Sequence, residues 1–249
     1  MRLYENDTIT VFFGDKSTSV YPDQVRGKLF KNLGQTEENI KKIRESLPPT
    51  LETIVAAHQV HGISGFTVTD ADKELPFFTE EGDYLVTALP NMGLAVATAD
   101  CLPIVFYDPV QRVIAVVHAG WRGLVGGVVE QALEDLLKLK GSIMADVRCL
   151  VGPAARVCCY EVGQDFVEQA GSILNLVRRP LLQNTIECRY NKYFFDTALF
   201  LRLLLYENGL RDGFFDTSYN ECTICEERCC SYRREKMSPL RQLTVVSLK

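Results

Sequence analysis

A mixed α/β protein of one domain is the fold class that the sequence predicts, on three observations. Short β-branched and aromatic segments recur along the chain with amphipathic helical stretches between them. The 249 residues are 47% hydrophobic, which is enough to bury a full core. No linker, internal repeat, low-complexity tract or heptad pattern divides the chain, so residues 1–249 read as a single domain.

The elements follow in order. Ile9–Phe13 is an apolar, β-branched run and the first predicted strand. A helix is predicted over Glu37–Ser46, and Pro48-Pro49 separates it from the strand Thr53–Ala57, which leads to His61. Phe66–Thr69 is the next strand, and Lys73–Glu81 is a charged, proline-containing loop. Tyr84–Thr87, Leu94–Ala97, Ile104–Tyr107 and Val113–His118 continue the strand series. Pro103 has no N–H for a ladder and predicts a break or an edge there. Leucines and valines recur at three and four over Gly127–Leu139, the signature of a helix with one apolar face. Val147–Val151 is a strand, and Thr197–Asn208 a helix that Asp196 can cap at its start and Gly209 at its end.

Composition excludes some classes of function. The net charge is −5 and no basic stripe appears, which argues against a nucleic-acid binder held by phosphate neutralisation. Residues 1–20 carry acids and no sustained apolar core, so they do not read as a secretory signal. No run of about eighteen apolar residues is present, and the cytoplasm is the expected location. Nine cysteines, at 101, 149, 158, 159, 188, 222, 225, 229 and 230, form no extracellular framework and are expected to be reduced.

The chemistry concentrates around scarce residues. The chain has three histidines, and two of them, His61 and His118, stand in glycine-containing motifs that bracket Cys101. His61, Cys101 and His118 offer two nitrogens and one sulfur, a donor set that suits zinc or copper and leaves a fourth tetrahedral position open. The same residues could instead form a Cys101–His118 nucleophile and base. If the chain is extended through Asp100-Cys101, the two side chains point to opposite sides. Cys101 is then the ligand, and Asp100 a carboxylate able to orient a ligating histidine. The same parity separates His58 from His61, leaving His58 as an ordinary hydrogen-bonded residue. After His118 the sequence Ala119-Gly120-Trp121-Arg122-Gly123 turns toward a helix near Gly126-Gly127. Glycines allow close backbone approach, and Arg122 adds a fork that fits a phosphate or carboxylate. The Gly-Lys-Ser/Thr ending of a nucleotide-phosphate loop is missing, so one phosphate fits better than three. Cys222-Thr223-Ile224-Cys225 has the spacing of one metal knuckle, but no histidine follows residue 118 to complete a site. Packed or redox-labile thiols are the expectation there, and likewise for Cys229-Cys230.

Read together, QVHG at 59–62, GDYLVT at 82–87, ADCLP at 99–103, HAGWRG at 118–123, GP at 152–153, CCYEVG at 158–163, CTIC at 222–225 and SYRR at 231–234 resemble the YfiH family. That family is also called the laccase-domain or multicopper polyphenol oxidoreductase family, and its members are described as purine nucleoside phosphorylases. The resemblance implies a single, mixed-sheet α/β domain of YfiH-like type, related to a toxin family of cysteine-dependent deamidases. It implies zinc on His61, Cys101 and His118. It also implies phosphorolysis of adenosine, inosine, guanosine and methylthioadenosine, with adenosine deamination and, in some members, copper-dependent phenol oxidation. Small-molecule purine nucleoside and phosphate are then the expected partners. Cys101, His118, Arg122 and Asp83 become the catalytic candidates, and Arg122, Gly123, Glu161 and Arg233 the candidates for substrate or phosphate contacts. This sequence departs from the family pattern at Cys229-Cys230, where aromatic residues are usual. It departs again at Ser238-Pro239-Leu240-Arg241, where a Thr-Gly-Arg triplet is usual.

Two rival activities belong to the same residues. A Cys101/His118 amide hydrolase, of the kind linked to cell-wall precursor editing, would use the thiolate directly. A phenol oxidase with a multi-copper array needs more histidines than three.

Overall fold

The computed structural model describes residues 1–21, 29–31, 38–51, 53–70, 72, 80–174, 179–236 and 238–249. Position 37 of the first predicted helix and positions 73–79 of the predicted loop lie outside the described residues. The strands are β1 (Arg2–Glu5), β2 (Ile9–Phe13), β3 (Leu29–Lys31), β4 (Thr53–Ala56), β5 (Gly65–Thr67), β6 (Tyr84–Thr87), β7 (Met92–Thr98), β8 (Leu102–Asp108), β9 (Val113–Ala119), β10 (Arg148–Val151), β11 (Glu161–Val162), β12 (Ile186–Arg189), β13 (Lys192–Phe195), β14 (Phe215–Asp216) and β15 (Gln242–Leu248). The helices are α1 (Glu38–Glu45), α2 (Trp121–Gly126), α3 (Val128–Lys140), α4 (Gln164–Ile173), α5 (Arg179–Asn184) and α6 (Thr197–Glu207).

Two mixed sheets form the centre. One has the order β1-β2-β15-β7-β4-β3 and the other β14-β10-β8-β9-β6-β5, while β11-β13-β12 make a small third sheet. Strand alternation sorts the apolar residues into layers. Val113, Ala115 and Val117 of β9 pack with Val128, Ala132 and Leu136 of α3 on the outer face of the second sheet. Ile114 and Val116 face inward against Val11, Leu94 and Val246 of the first sheet. Phe12, Ile54 and Val245 cover the outer face of the first sheet together with Ile43 of α1. The result is helix, sheet, sheet, helix, each interface burying aliphatic area at about 25 cal/mol per Å2.

The predicted strands are present, those at Ile9–Phe13 and Tyr84–Thr87 with the predicted bounds. The sequence reading passed over β15, although it lies between β2 and β7 and pairs with both. It also expected Pro103 to break or edge a strand. Pro103 instead sits second in β8, opposite His118 of β9, and its carbonyl accepts from the Gly152 N–H. A proline at the start of a strand forfeits only one donor, which lets β8 remain central. The helix expected near Gly126-Gly127 begins earlier, at Trp121, with Gly120 as its N-cap. Gly127, at φ +111°, is the joint that ends α2 and starts α3, a left-handed conformation suited to glycine. Asp196 caps α6 by accepting from the Leu199 N–H at 2.9 Å, and Gly209 follows that helix at φ +91°. Among the described residues no helix is long and apolar enough to cross a membrane.

Candidate metal centre and active-site cavity

The layer parity places the site. On β9 the even residues face the space between the two sheets, and His118 continues that series at the end of the strand. On β8 the odd residues Val105 and Tyr107 face the same space, and Cys101, just before the strand, has their parity. Leu85 faces it from β6, and Asp83 has its parity in turn. Since β8 and β6 flank β9, Cys101 and Asp83 lie on either side of His118. His61 comes from the connection that leaves β4 in the first sheet and enters β5 in the second.

These residues form a compact centre. The ligand atoms of His61, Cys101 and His118 lie within 4.8 Å of one another. Cys101 Sγ is 3.8 Å from His61 Nε2, and the two imidazole rings meet edge to face with centroids 4.7 Å apart. Asp83, 1% exposed, is the pivot beneath them. Its Oδ1 lies 2.7 Å from His118 Nδ1 and accepts the His61 N–H at 3.0 Å, while Oδ2 accepts the Gly62 N–H at 2.6 Å. A carboxylate in that position fixes the proton on His118 Nδ1 and leaves Nε2 free to ligate. It also holds the turn that sets His61 at φ +62°, a region that costs a non-glycine residue about 1–3 kcal/mol.

Electrostatics follow from this packing. Burial alone would raise the Cys101 thiol, but the His118 charge and hydrogen bonds from both histidines outweigh it and bring the thiol down to about 6. Burial would lower His118, and the Cys101 thiolate together with Asp83 raises it to about 9. Burial works against the Asp83 carboxylate too, and its bonds from His118 and the turn N–H groups hold it below the usual range. Without a metal the centre is therefore a thiolate–imidazolium pair braced by a carboxylate. The donor set also fits a metal, because the Cys101 thiol is already lowered toward the thiolate form that a metal takes.

Gly120 makes the room. A Cβ there would stand 2.8 Å from His61 Cδ2 and 3.4 Å from Cys101 Sγ, although φ of −65° would accept any residue. Gly120→Ala is expected to leave the fold intact, because exposed His61 can swing aside. The displaced ligand should weaken metal binding about 10–100-fold, measured by competition with a chromophoric chelator.

The centre forms the floor of a cavity of about 470 Å3, within the range of small-ligand sites. Trp121, Tyr160 and Tyr232 give it aromatic walls, and Arg122, Arg233 and Arg241 reach it as cations. The Arg122 guanidinium stacks over Trp121 at 4.3 Å and has no carboxylate partner among the described residues. That of Arg233 lies 4.4 Å over Tyr160, with Nη1 bonded to the Glu161 carbonyl. Trp121, Tyr160 and Tyr232 lie within the quoted motifs, but nothing in the sequence marked them or Arg241 as cavity walls, since stacking partners come together only on folding.

Other candidates are placed differently. Glu161 lies outside this cavity, is exposed, and pairs with Lys192 at 2.8 Å. Gly123 is buried and does not line the cavity; a Cβ there would meet the Gly62 carbonyl at 2.7 Å, so it lets α2 pack on the His61 turn. Asp100 does not orient a histidine, a role that falls to Asp83. Asp100 stands at φ +82° and accepts from Thr223 Oγ1 at 2.6 Å and from the Arg233 N–H at 2.8 Å. His58 is not a satisfied bystander either. It lines the cavity, and its buried Nε2 has no partner among the described residues. Strand parity failed for it because β4 ends at Ala56, two residues earlier.

The fold and site define a mixed α/β protein whose centre is an open set of two histidines and one cysteine. The chain belongs to the multi-copper polyphenol oxidoreductase laccase family, whose model matches residues 31–249, as its motifs implied. It is 37% identical over 177 residues to the purine nucleoside phosphorylase of Aquifex aeolicus, covering 71% of this chain and 75% of that protein. It is 32% identical over 123 residues to adenosine deaminase RL5 of an unknown prokaryotic organism, covering 47% of each. The crystal structure of Bacillus licheniformis hypothetical protein YfiH matches with a TM-score of 0.78 at 28% identity, covering 97% of this chain and 93% of that one.

Proposed function

We propose that this protein is a zinc-dependent purine nucleoside phosphorylase, acting on adenosine, inosine, guanosine and methylthioadenosine, with adenosine deamination as a second activity. The observation that carries the reading is the open His61/Cys101/His118 set at the floor of a cavity that also presents aromatic faces and the Arg122 guanidinium. The names of the relatives agree with it. Two histidines and one thiolate suit zinc, and the three histidines of the chain are too few for several coppers. When bound, zinc supplies Lewis acidity at the cavity floor.

The chain's own residues do the rest. Trp121, Tyr160 and Tyr232 offer flat apolar faces to a purine. Arg122, with no carboxylate partner among the described residues, takes phosphate through a bidentate fork. Arg233 and Arg241 add positive charge to the cavity lining. Asp83 keeps His118 oriented, and His58 Nε2, without a partner among the described residues, is a polar group for a substrate hydroxyl or ring nitrogen.

The test uses the two activities against each other, because only one consumes phosphate. Arg122→Ala should keep its zinc, lower phosphorolysis of inosine about 10–100-fold and raise the KM for phosphate, the cost of one charged hydrogen bond. Deamination of adenosine should fall far less. Equal losses in both, or base release that does not depend on phosphate, would sink this reading.

A second reading keeps one observation in its favour. Asp83, His118 and Cys101 also stand in the order of a carboxylate, base and thiol nucleophile, and the thiol sits at about 6. It differs from the first in requiring no metal on Cys101.

A further inference from the structure

Cys222-Thr223-Ile224-Cys225 lacks a complement nearby in sequence, but the fold supplies one. Residues 158–159 follow the loop that leaves β10, and an isolated bridge pairs Ala154 with Cys222. Thr223 N–H bonds the Ala154 carbonyl at 3.0 Å, so the two loops run side by side. That pairing gathers four thiols: the sulfurs of Cys158, Cys159, Cys222 and Cys225 lie within 4.8 Å of one another.

Their spacing is that of a coordination shell. Four sulfurs at about 2.3 Å from a tetrahedral zinc stand about 3.8 Å apart. Cys225 Sγ is 3.7 Å from Cys158 Sγ and 3.1 Å from Cys159 Sγ, both beyond the bonded distance of about 2.05 Å in a disulfide. Backbone donors converge on Cys222, one of the four sulfurs. The N–H groups of Arg156, Ile224 and Cys225 are aimed at Cys222 Sγ, and such amides stabilise metal-bound thiolates. The loop is also braced independently: Arg234 Nη1 bonds the carbonyls of Ile224 and Glu226 at 3.1 and 2.9 Å. A preformed tetrathiolate of this kind selects zinc or iron, and knuckle spacing favours zinc.

We propose that Cys158, Cys159, Cys222 and Cys225 hold a structural zinc ion of their own, separate from the His61/Cys101/His118 centre. Four protein ligands close the shell, so this ion is no catalyst. Its place gives it a task. Tyr160 follows Cys159 directly, and Asp100 ties both Thr223 and Arg233 to the segment carrying Cys101. The ion thus clamps the Tyr160 wall of the cavity to the loop that delivers Arg233.

Metal analysis by mass spectrometry of protein purified without chelator tests this, with each site removed in turn. The wild type should carry about two equivalents of zinc, and Cys101→Ser and Cys225→Ser about one each. The double variant should carry none. Loss confined to the Cys101 arm would leave the second zinc standing, so the two sites are judged separately. Cys225→His should retain the ion through its nitrogen, which guards against a simple folding defect in Cys225→Ser. In the native wild type, iodoacetamide should label exposed Cys188 at once. Cys158 and Cys225, equally exposed, should react only after chelation. Labelling of all three at the same rate overturns the proposal. So does zinc content that Cys225→Ser leaves unchanged, iron in place of zinc, or a Cys159–Cys225 disulfide in the peptide map.

Discussion

Cys101→Ser is expected to strip the metal from the His61/Cys101/His118 centre and lower nucleoside phosphorolysis by about 10³-fold or more, close to 4 kcal/mol of transition-state stabilisation. A serine hydroxyl does not ionise near neutral pH, so two imidazoles are left to hold the ion alone. Stability should change little, because Cys101 is half-buried at the mouth of the inter-sheet space and serine differs by one atom. The same loss would follow if Cys101 were a nucleophile, so a second variant is needed to separate the readings. Cys101→Asp keeps an anionic ligand, and a His-His-carboxylate set is an established zinc combination. Retained zinc with partial turnover supports the metal reading. Retained zinc with turnover no higher than in Cys101→Ser supports the nucleophile. Alkylation of the native enzyme discriminates again, since a zinc-bound thiolate is shielded while a free thiol at about 6 reacts rapidly.

The candidate ligands were legible in the sequence because their logic is local. His61 and His118 stand in motifs whose glycines allow close approach to the backbone, and Cys101 immediately precedes β8. Period-two alternation singled out Cys101, although Asp100, at φ +82°, is not extended and lines the cavity as well. Local logic stopped where strands pair. Gly82-Asp83 reads as a turn before a strand, and only the antiparallel register of β6 with β9 brings Asp83 beneath His118. The same limit hid the tetrathiolate group, whose closest sulfurs belong to residues 66 positions apart. No histidine follows residue 118, and the side chains that the fold brings beside the knuckle are Cys158 and Cys159. Strand β15 shows a different failure. Its alternation is weak because both faces are buried, one against each core.

Asp83→Asn should prove nearly as damaging to metal binding as loss of a ligand, although Asp83 touches no metal. The wild-type carboxylate accepts from His118 Nδ1 and from three backbone N–H groups of the His61 turn, so every neighbour is a donor. An amide brings its own N–H into that ring of donors. The buried arrangement can relax only by moving the His118 proton to Nε2, the nitrogen that the ion needs. Metal affinity should fall at least about 10–100-fold, by competition titration, while Asp83→Ala, which orphans all the donors, should also cost about 3–5 kcal/mol of stability. The pH dependence of the metal-free protein gives an independent check. Asp83 is depressed in the fold, so its contribution is present above the ordinary value of 3.8 and is lost as pH falls through its lower folded value. His118 is raised from 6.5 to about 9, so its contribution is full below 6.5 and is lost as pH rises through 9. The stability gap between wild type and Asp83→Asn should therefore be widest between about pH 4 and 6.5 and narrow toward pH 9 in denaturant titrations. A gap that widened with rising pH would show that His118 is not charged against Asp83 in the fold, and the oriented tautomer on which the metal centre depends would have to be abandoned.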